Sequence, residues 1–397
     1  MRNESVAILD IRSNEVSFLI GARGVNNTFV FKGMQTEKYN GYSLEKGFTD
    51  KESFQRAVER CVSLIQKNYE GAIREIFVGV PSGNVTVLTK GHMKSYSYKR
   101  KISLQDIDAL YESGLNELMA SGKYIRRSSM YFTLGDNRKY FTKEDLCGIS
   151  TTMLKGGLCY YFTTEEFYDS VEEALKPLGF TTINYIPSTL AQTTYLFPRE
   201  RREGYVFLLD IGFYTSSITV LYGNGIVHEE TYDNGIAFIL KTLKEAFGIN
   251  DSVAMEMLLA ANISCGPIKE DESWTSVNIG EKYLVEEINN AITFALSKLC
   301  EKVAAFFNKY YEDKNILGFE TGSISITGEG VGMIKGVGEY VSKHVGMLPE
   351  VVTPDLPYYD KPMFSSRIAL LDMALSDKEK KKWVNKIFEC LGGNKKW

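Results

Sequence analysis

The chain has 397 residues, 44% hydrophobic and 24% charged, enough to bury more than one apolar nucleus, which excludes a small stapled or disordered protein. Lys plus Arg number 46 against 50 Asp plus Glu, and the net charge of -4 excludes a global positive field, so no nucleic-acid partner is expected. The six cysteines form no C-x-x-C pair and His92, His228 and His344 are dispersed, which argues against a zinc site or a disulfide framework; no run approaches 18 uninterrupted apolar residues, and a cytosolic chain without a spanning helix is expected.

In chain order, Val6-Ala7-Ile8-Leu9-Asp10-Ile11 reads as a buried strand, followed by a polar turn from Arg12 to Glu15, a β-branched strand to Gly21 and a third strand at 28–31. Helical spacing over 50–69 (Phe54, Val58, Val62, Ile65) leads to an apolar strand over 73–80. Residues 84–162 break that rhythm with a basic loop at 94–101, a helix opened by Ser103 and strands at 130–134 and 158–162, the pattern of an inserted α+β subdomain. A helix over 165–176, a strand over 181–186 and a helix over 188–196 follow; Gln192 reads as a surface residue of that helix, and 199–203 as a charged hinge. The first unit then repeats: Val206-Phe207-Leu208-Leu209-Asp210-Ile211, a polar turn from Gly212 to Ser216, a strand to Tyr222, a Gly-Asn-Gly turn and a third strand. Residues 241–314 read as helical, with one long amphipathic stretch over 283–310 (Ile288, Ile292, Leu299, Val303, Phe306); a strand over 322–327, Gly328-Glu329-Gly330 and a helix over 337–345 complete the second half.

Two strands ending in Asp before a polar turn suit a phosphate and divalent-metal site, because turn amides cradle phosphate oxygens while Asp10 and Asp210 hold Mg2+ through its waters. The small-residue turn at Gly328-Glu329-Gly330 lets backbone approach a flat or anionic ligand. In this order the motifs resemble the actin, Hsp70 and sugar-kinase superfamily, and within it the bacterial cell-division FtsA family. The insertion directly after Val80, the segments 91–95 and 102–106, and the short amphipathic tail carry that closer likeness.

The resemblance implies an α/β, actin-like fold of two duplicated ribonuclease-H-like domains with an FtsA-type inserted subdomain and a C-terminal amphipathic helix. The expected segments are 1–83, 163–202 and 353–375 for subdomain 1A, 84–162 for the insertion 1C, 203–240 and 315–352 for 2A, 241–314 for 2B, and 376–397 for the tail. It implies ATP with Mg2+ between the domains, contacted by Asp10, Arg12 and Ser13 in the first loop and by Asp210, Gly212, Thr215 and Ser216 in the second. Gly235 follows the third strand, Glu256 is placed as the ribose-contacting acid, and Gly328, Glu329 and Gly330 form the adenosine loop. The chain departs from the family pattern at Arg12, where glycine is usual and where a large cation either adds a phosphate contact or plugs the pocket. Glu329 interrupts consecutive glycines, and Asn234 replaces the first of a Gly-Gly pair.

Ser376-Asp377-Lys378-Glu379 has capping-box spacing and predicts a new helix there. On it Trp383, Val384, Ile387, Phe388 and Leu391 gather in an arc of about 140°, with Lys381, Lys382 and Lys386 on the other side. Seven lysines against two acids put 378–397 at +5 and leave -9 on the rest of the chain. Such a helix suits an anionic membrane surface; a helix packed on its own domain and one recognised by a protein groove are the alternatives. By resemblance the chain is a scaffold, at most a weak ATPase with no catalytic residue assigned, that tethers FtsZ-type filaments to the cytoplasmic face of the membrane. It would dock FtsZ through 2B and self-associate into dimers or filaments through the insertion. A small-molecule kinase on the same fold, with a cleft carboxylate as base, and an FtsA-like adaptor of a pilus or secretion machine are the competing readings.

Overall fold

The computed structural model describes residues 5–69, 71, 73–118, 122–136, 138–264, 271–311 and 322–390, without the side chains of 27, 311 and 381–390. The first lobe begins with β1 (Val6–Ile11), β2 (Glu15–Arg23), β3 (Phe29–Lys38), α1 (Lys51–Gln66) and β4 (Glu75–Val80). The insertion contributes β5 (Val85–Lys101), α2 (Leu104–Asn116), β6 (Lys123–Thr133) and β7 (Ser150–Thr163). Then come α3 (Glu165–Leu175), β8 (Thr182–Pro187) and α4 (Ser188–Leu196). The second lobe has β9 (Tyr205–Ile211), β10 (Ser216–Tyr222), β11 (Gly225–Tyr232), α5 (Ile236–Phe247), α6 (Asp251–Ala260), α7 (Val285–Tyr311), β12 (Ser323–Thr327), α8 (Glu329–Met333), α9 (Val337–Val345) and β13 (Leu348–Val351). A final helix, α10 (Ser365–Cys390), returns to the first lobe.

The sheet orders are β8-β4-β1-β2-β3 and β11-β10-β9-β12-β13. Each lobe is an antiparallel three-strand meander with two parallel strands added beside its first strand, so the internal repeat of the sequence is a repeat of topology. Every residue of β1 is buried because helices cover both faces of its sheet. Phe54, Val58, Phe167 and Val171 cover one face; Leu370, Leu371 and Ala374 of α10 cover the other. α10 lies so close that a Cβ on Gly79 would sit 2.4 Å from Leu370 Cδ1.

The insertion is a three-stranded sheet in the order β5-β7-β6. α2 packs Ile107, Leu110 and Tyr111 on one face of it, while Cys159 and Tyr161 on the other join Leu208, Leu221 and Ile226 of the second lobe. The β10–β11 turn plugs into this contact. Gly223 has φ +62, and a Cβ there would fall 1.7 Å from the Met130 carbonyl oxygen. The Asn224 backbone amide donates to the Ser129 carbonyl at 3.1 Å and its Nδ2 to the Phe141 carbonyl at 2.7 Å. Gly223→Ala is therefore expected to destabilise the protein by about 3 kcal/mol, from left-handed backbone strain plus displacement of β6. Chemical unfolding checks this, and a loss under about 1 kcal/mol would mean the turn is not held.

Two sequence expectations are corrected. Residues 199–203 are not a hinge: a short helix, Arg199–Arg202, is pinned by Arg199 to Asp145 at 2.5 Å and by Arg201 to Glu350 at 2.6 Å. No new helix begins at Ser376, because α10 runs unbroken from Ser365 to Cys390. Nothing between Leu375 and Lys380 is a helix breaker, and the residues of the supposed cap have other partners. Asp377 accepts both Nη atoms of Arg126 (2.8 and 3.0 Å), Lys378 pairs with Glu75 at 3.2 Å, and Ser376 Oγ lies 3.3 Å from Arg23. Lys381, Lys382, Trp383, Val384, Lys386, Ile387 and Phe388 fall within the undescribed side chains, and Leu391 outside the described residues. Among the described residues no helix is long and apolar enough to cross a membrane.

Candidate functional site

The two Asp-terminated strands meet the cleft through equivalent turns. Asp10 pairs with Ser17 and Asp210 with Ser217; the Arg12 amide donates to the Glu15 carbonyl at 2.9 Å, and the Gly212 amide to the Thr215 carbonyl at 3.0 Å. Arg12 and Gly212 thus hold the same place in the two copies, and only the second lobe keeps the small residue there.

The Arg12 side chain crosses between the lobes, with Nη2 3.3 Å from Asp210 Oδ1. Asp210 Oδ2 accepts from Gln192 Nε2 at 2.8 Å, and the same Nε2 reaches Ser365 Oγ at 3.0 Å. Ser13 Oγ accepts from the Tyr214 amide at 3.1 Å, a second link between the loops. Asp10 is fully buried; its Oδ1 accepts from Ser366 Oγ at 2.6 Å, and Arg367 lies 3.9 Å from its Oδ2 while pairing with Glu15 at 2.6 Å. Burial pushes the Asp10 carboxyl above its ordinary pKa, only partly offset by Arg367 and Arg12. Burial also works against the charge of Arg12, but Asp210, Asp10, Glu15 and Glu329 outweigh it and hold the guanidinium above its ordinary value.

Around the Arg12–Asp210 contact the cavity is about 50 Å3, lined by Arg12, Ser13, Thr189, Gln192, Asp210 and Thr215 among others; a separate cavity of about 590 Å3 opens between Tyr42 and Leu44 of the first lobe and Thr215, Tyr232 and Phe238 of the second. The first of these admits a few waters, against roughly 300–1,000 Å3 for a small-molecule pocket. Mg-ATP does not fit these residues as they stand, since the cation position between the loops belongs to Arg12. Among the described residues no group of three or more His, Cys, Asp or Glu is arranged to hold a metal.

The glycine positions pack tightly against the second Asp-terminated strand and its turn. Gly328 has φ +99, and a Cβ there would come 2.1 Å from Asp210 Oδ1; one on Gly330 would come 2.4 Å from Ile211 Cγ2. Gly235 precedes α5, whose first amides, of Ile236 and Ala237, donate to the Gly212 and Phe213 carbonyls at 3.1 and 2.8 Å rather than remaining open for a phosphate. Glu329 is half-buried, with its pKa raised by burial and Arg12 the foremost opposing cation. Asp10, Arg12, Ser13, Asp210, Gly212, Thr215 and Gly328 are brought together. Ser216 Oγ instead donates to the Asn234 carbonyl at 2.8 Å, away from the cleft. Glu256, expected at the ribose, closes a turn of its own subdomain, accepting from Ser276 Oγ at 2.9 Å, the Val277 amide at 2.5 Å and Asn278 Nδ2 at 2.8 Å.

Gln192, read from sequence as a surface residue, is 1% exposed and joins both lobes. Glu15, Ser365, Ser366 and Arg367 also escaped the sequence reading. A signal existed in both places, since α4 contains no charged residue and Arg367 is a lone cation opening an apolar helical run. Beside the cleft, Glu229 on β11 accepts from Thr219 Oγ1 at 3.0 Å, and its Oε2 is buried without a partner. Burial pushes this carboxyl up to about 7. Since the folded value lies above the ordinary 4.5, its contribution to stability is complete below pH 4.5 and is lost as the pH rises to about 7. Glu229→Gln is expected to match the wild-type melting temperature near pH 4.5 and to exceed it from pH 7 upward; melting curves across that range check the sign.

No family model matches the sequence, and no curated protein matches it. Solved structures do share its architecture. A "PilM-PilN type IV pilus biogenesis complex" chain superposes with TM-score 0.63 at 12% identity, covering 93% of this chain and 98% of its own. The fold is actin-like. MreB 5 of Spiroplasma citri bound to AMPPNP has TM-score 0.55 at 10% identity, covering 97% of this chain and 99% of its own. The ethanolamine utilization protein EutJ from Carboxydothermus hydrogenoformans has TM-score 0.51 at 9% identity over 94% and 90% of the two chains. At these identities the likeness fixes the actin-like fold and leaves the function to the cleft and surfaces of this chain.

Proposed function

We propose that the chain is an actin-like scaffold that works with its cleft shut, held to the cytoplasmic face of a membrane through the 376–397 tail and passing that attachment to a filament-forming partner. The observation that carries the reading is the Arg12–Asp210 contact at 3.3 Å beside a cavity of about 50 Å3. An internal cation between the two loops lets the lobes close without nucleotide, where MreB 5 of Spiroplasma citri was solved with AMPPNP. ATP and Mg2+ are then dispensable, and a small-molecule kinase is disfavoured because Arg12 stands where the metal of its phosphoryl donor would sit.

In the FtsA-like form of this reading the partner is an FtsZ-type protein docked on 2B, where Phe294 of α7 is exposed, and self-association runs through the insertion. An adaptor of a pilus machine is the second reading, favoured by the likeness to the PilM-PilN structure. Co-sedimentation of the full chain with anionic vesicles and FtsZ-type filaments, with and without Mg-ATP, tests the proposal. Expected is recruitment of filaments to vesicles to the same extent in both conditions. Recruitment that requires Mg-ATP overturns the closed-cleft reading, vesicle binding without recruitment transfers the partner to the pilus reading, and a chain that leaves vesicles unbound overturns the membrane scaffold.

A further inference from the structure

Beside the root of α10, the insertion, the Gly223-Asn224 turn and the first lobe enclose a groove of about 510 Å3 whose lining includes Arg126, Arg127, Lys143, Arg202 and Lys380. The acids of this groove are largely engaged: Asp372 is held by Arg23 at 2.7 Å and Asp377 by Arg126, while Glu144 stands exposed at the rim. Arg127 and Lys143 share one carboxylate, Asp108, at 2.9 and 3.3 Å. Arg202 meets only neutral oxygens, with Nε on the Phe197 carbonyl at 3.0 Å and Nη1 on the Gly223 carbonyl at 3.2 Å and the Asn224 side chain. Among the described residues no carboxylate forms a salt bridge with Arg202 or Lys380; Glu200 acts on Arg202 at longer range and is outweighed by burial and by the neighbouring Arg199. A half-buried guanidinium with no anion in contact, in a groove of net positive lining, is short of counter-charge.

The location says which anion. α10 is one helix, so the side on which Met373 and Lys380 line the groove at seven-residue spacing leads without a break into the tail. Leu371, Leu375 and Lys378, which face the first lobe, take the other side. The groove therefore opens where the basic tail sequence begins. We propose that this groove is an anion site that takes the phosphate of an anionic lipid headgroup while the tail beyond Lys380 lies in the same membrane surface. The assignment rests on the membrane reading of the tail.

The test uses the full chain with three probes: sn-glycerol 3-phosphate and inorganic phosphate, followed by 31P line broadening, and vesicles of phosphatidylglycerol with phosphatidylcholine against phosphatidylcholine alone. Glycerol phosphate is expected to broaden in preference to inorganic phosphate. Arg202→Gln and Lys380→Gln should each weaken both this binding and binding to the anionic vesicles about fivefold. Lys380 is exposed, so its variant stands even if loss of Arg202 disturbs the Gly223-Asn224 turn. Trp383→Asp is expected to abolish vesicle binding and leave glycerol phosphate binding intact, so the groove and the tail fail separately. Glycerol phosphate binding by a wild-type chain that ignores vesicles would keep the anion site and remove the membrane reading. Equal broadening of both soluble probes with vesicle binding indifferent to both substitutions makes it a free-phosphate site and overturns the headgroup; absence of broadening, as an acidic-peptide groove would give, overturns the site.

Discussion

Replacing Arg12 with glycine is expected to turn a cleft that ignores Mg-ATP into one that binds it, and to make stability depend on the metal. Arg12 and Asp210 are 12% and 13% exposed, so truncating the arginine leaves a nearly buried Asp210 carboxylate with Gln192 to compensate, while Asp10 keeps Ser366 and Arg367. Breaking one side of a buried pair costs about 3–5 kcal/mol. The space vacated lies between the two carboxylates, where a divalent ion restores the lost charge, and millimolar Mg2+ at 100-fold over its dissociation constant returns about 2.7 kcal/mol. Thermal unfolding of wild type, Arg12→Gly and Arg12→Lys with and without Mg2+ and ATP separates the terms, since lysine keeps the charge but loses the planar fork. Wild type should be indifferent to both ligands, and the glycine variant should melt lower and recover with Mg2+. A wild-type protein that gains several degrees from Mg-ATP, or a glycine variant as stable as wild type without metal, would remove the arginine as the resident cation.

The fold was legible because its signals are local. Val6 to Asp10 and Val206 to Asp210 are apolar runs stopped by an acid and a polar turn, and the change of rhythm at residue 84 marks a real sheet, β5-β7-β6. The closure of the cleft was not legible in the same way. That Arg12 breaks a glycine pattern is visible, but which way it acts depends on Asp210, 198 residues along the chain, and on Gln192 reaching both Asp210 and Ser365. Glu256 shows the converse failure: a carboxylate at a plausible position in the chain is turned to the donors of its own 276–278 turn. The cap at Ser376 misled for a third reason. A Ser-x-x-Glu spacing is favourable at a helix start but does not break a helix already running, and Arg126 and Glu75, 251 and 303 positions away, hold Asp377 and Lys378 within it.

That continuity changes how the tail must be tested and what it does when bound. Ending the chain after Ser376 removes Asp377 and Lys378, and with them the pairs to Arg126 and Glu75, so a loss of membrane binding would be confounded with a loosened lobe. Ending it after Lys380 keeps those contacts and removes Trp383, Val384, Ile387, Phe388 and Leu391 with five lysines. At about 1 kcal/mol per lysine near an anionic surface, in addition to the buried apolar side chains, the shortened chain is expected to bind phosphatidylglycerol vesicles at least 100-fold more weakly, with an unchanged melting temperature. Neutral vesicles should be bound weakly by both forms. Equal pelleting of the two forms would put the membrane contact elsewhere, and a fall in melting temperature would mean 381–397 packs on the protein. Ten helical residues from Lys381 to Cys390 span about 15 Å. A (Gly-Ser)5 insertion between Lys380 and Lys381 should therefore preserve vesicle binding while raising the height and freedom of the body above the bilayer, measurable by energy transfer from a label on the β5-β7-β6 sheet to the lipid surface. If the label distance is the same with and without the insertion, a second contact, such as the Arg202 groove, holds the body down independently of the helix.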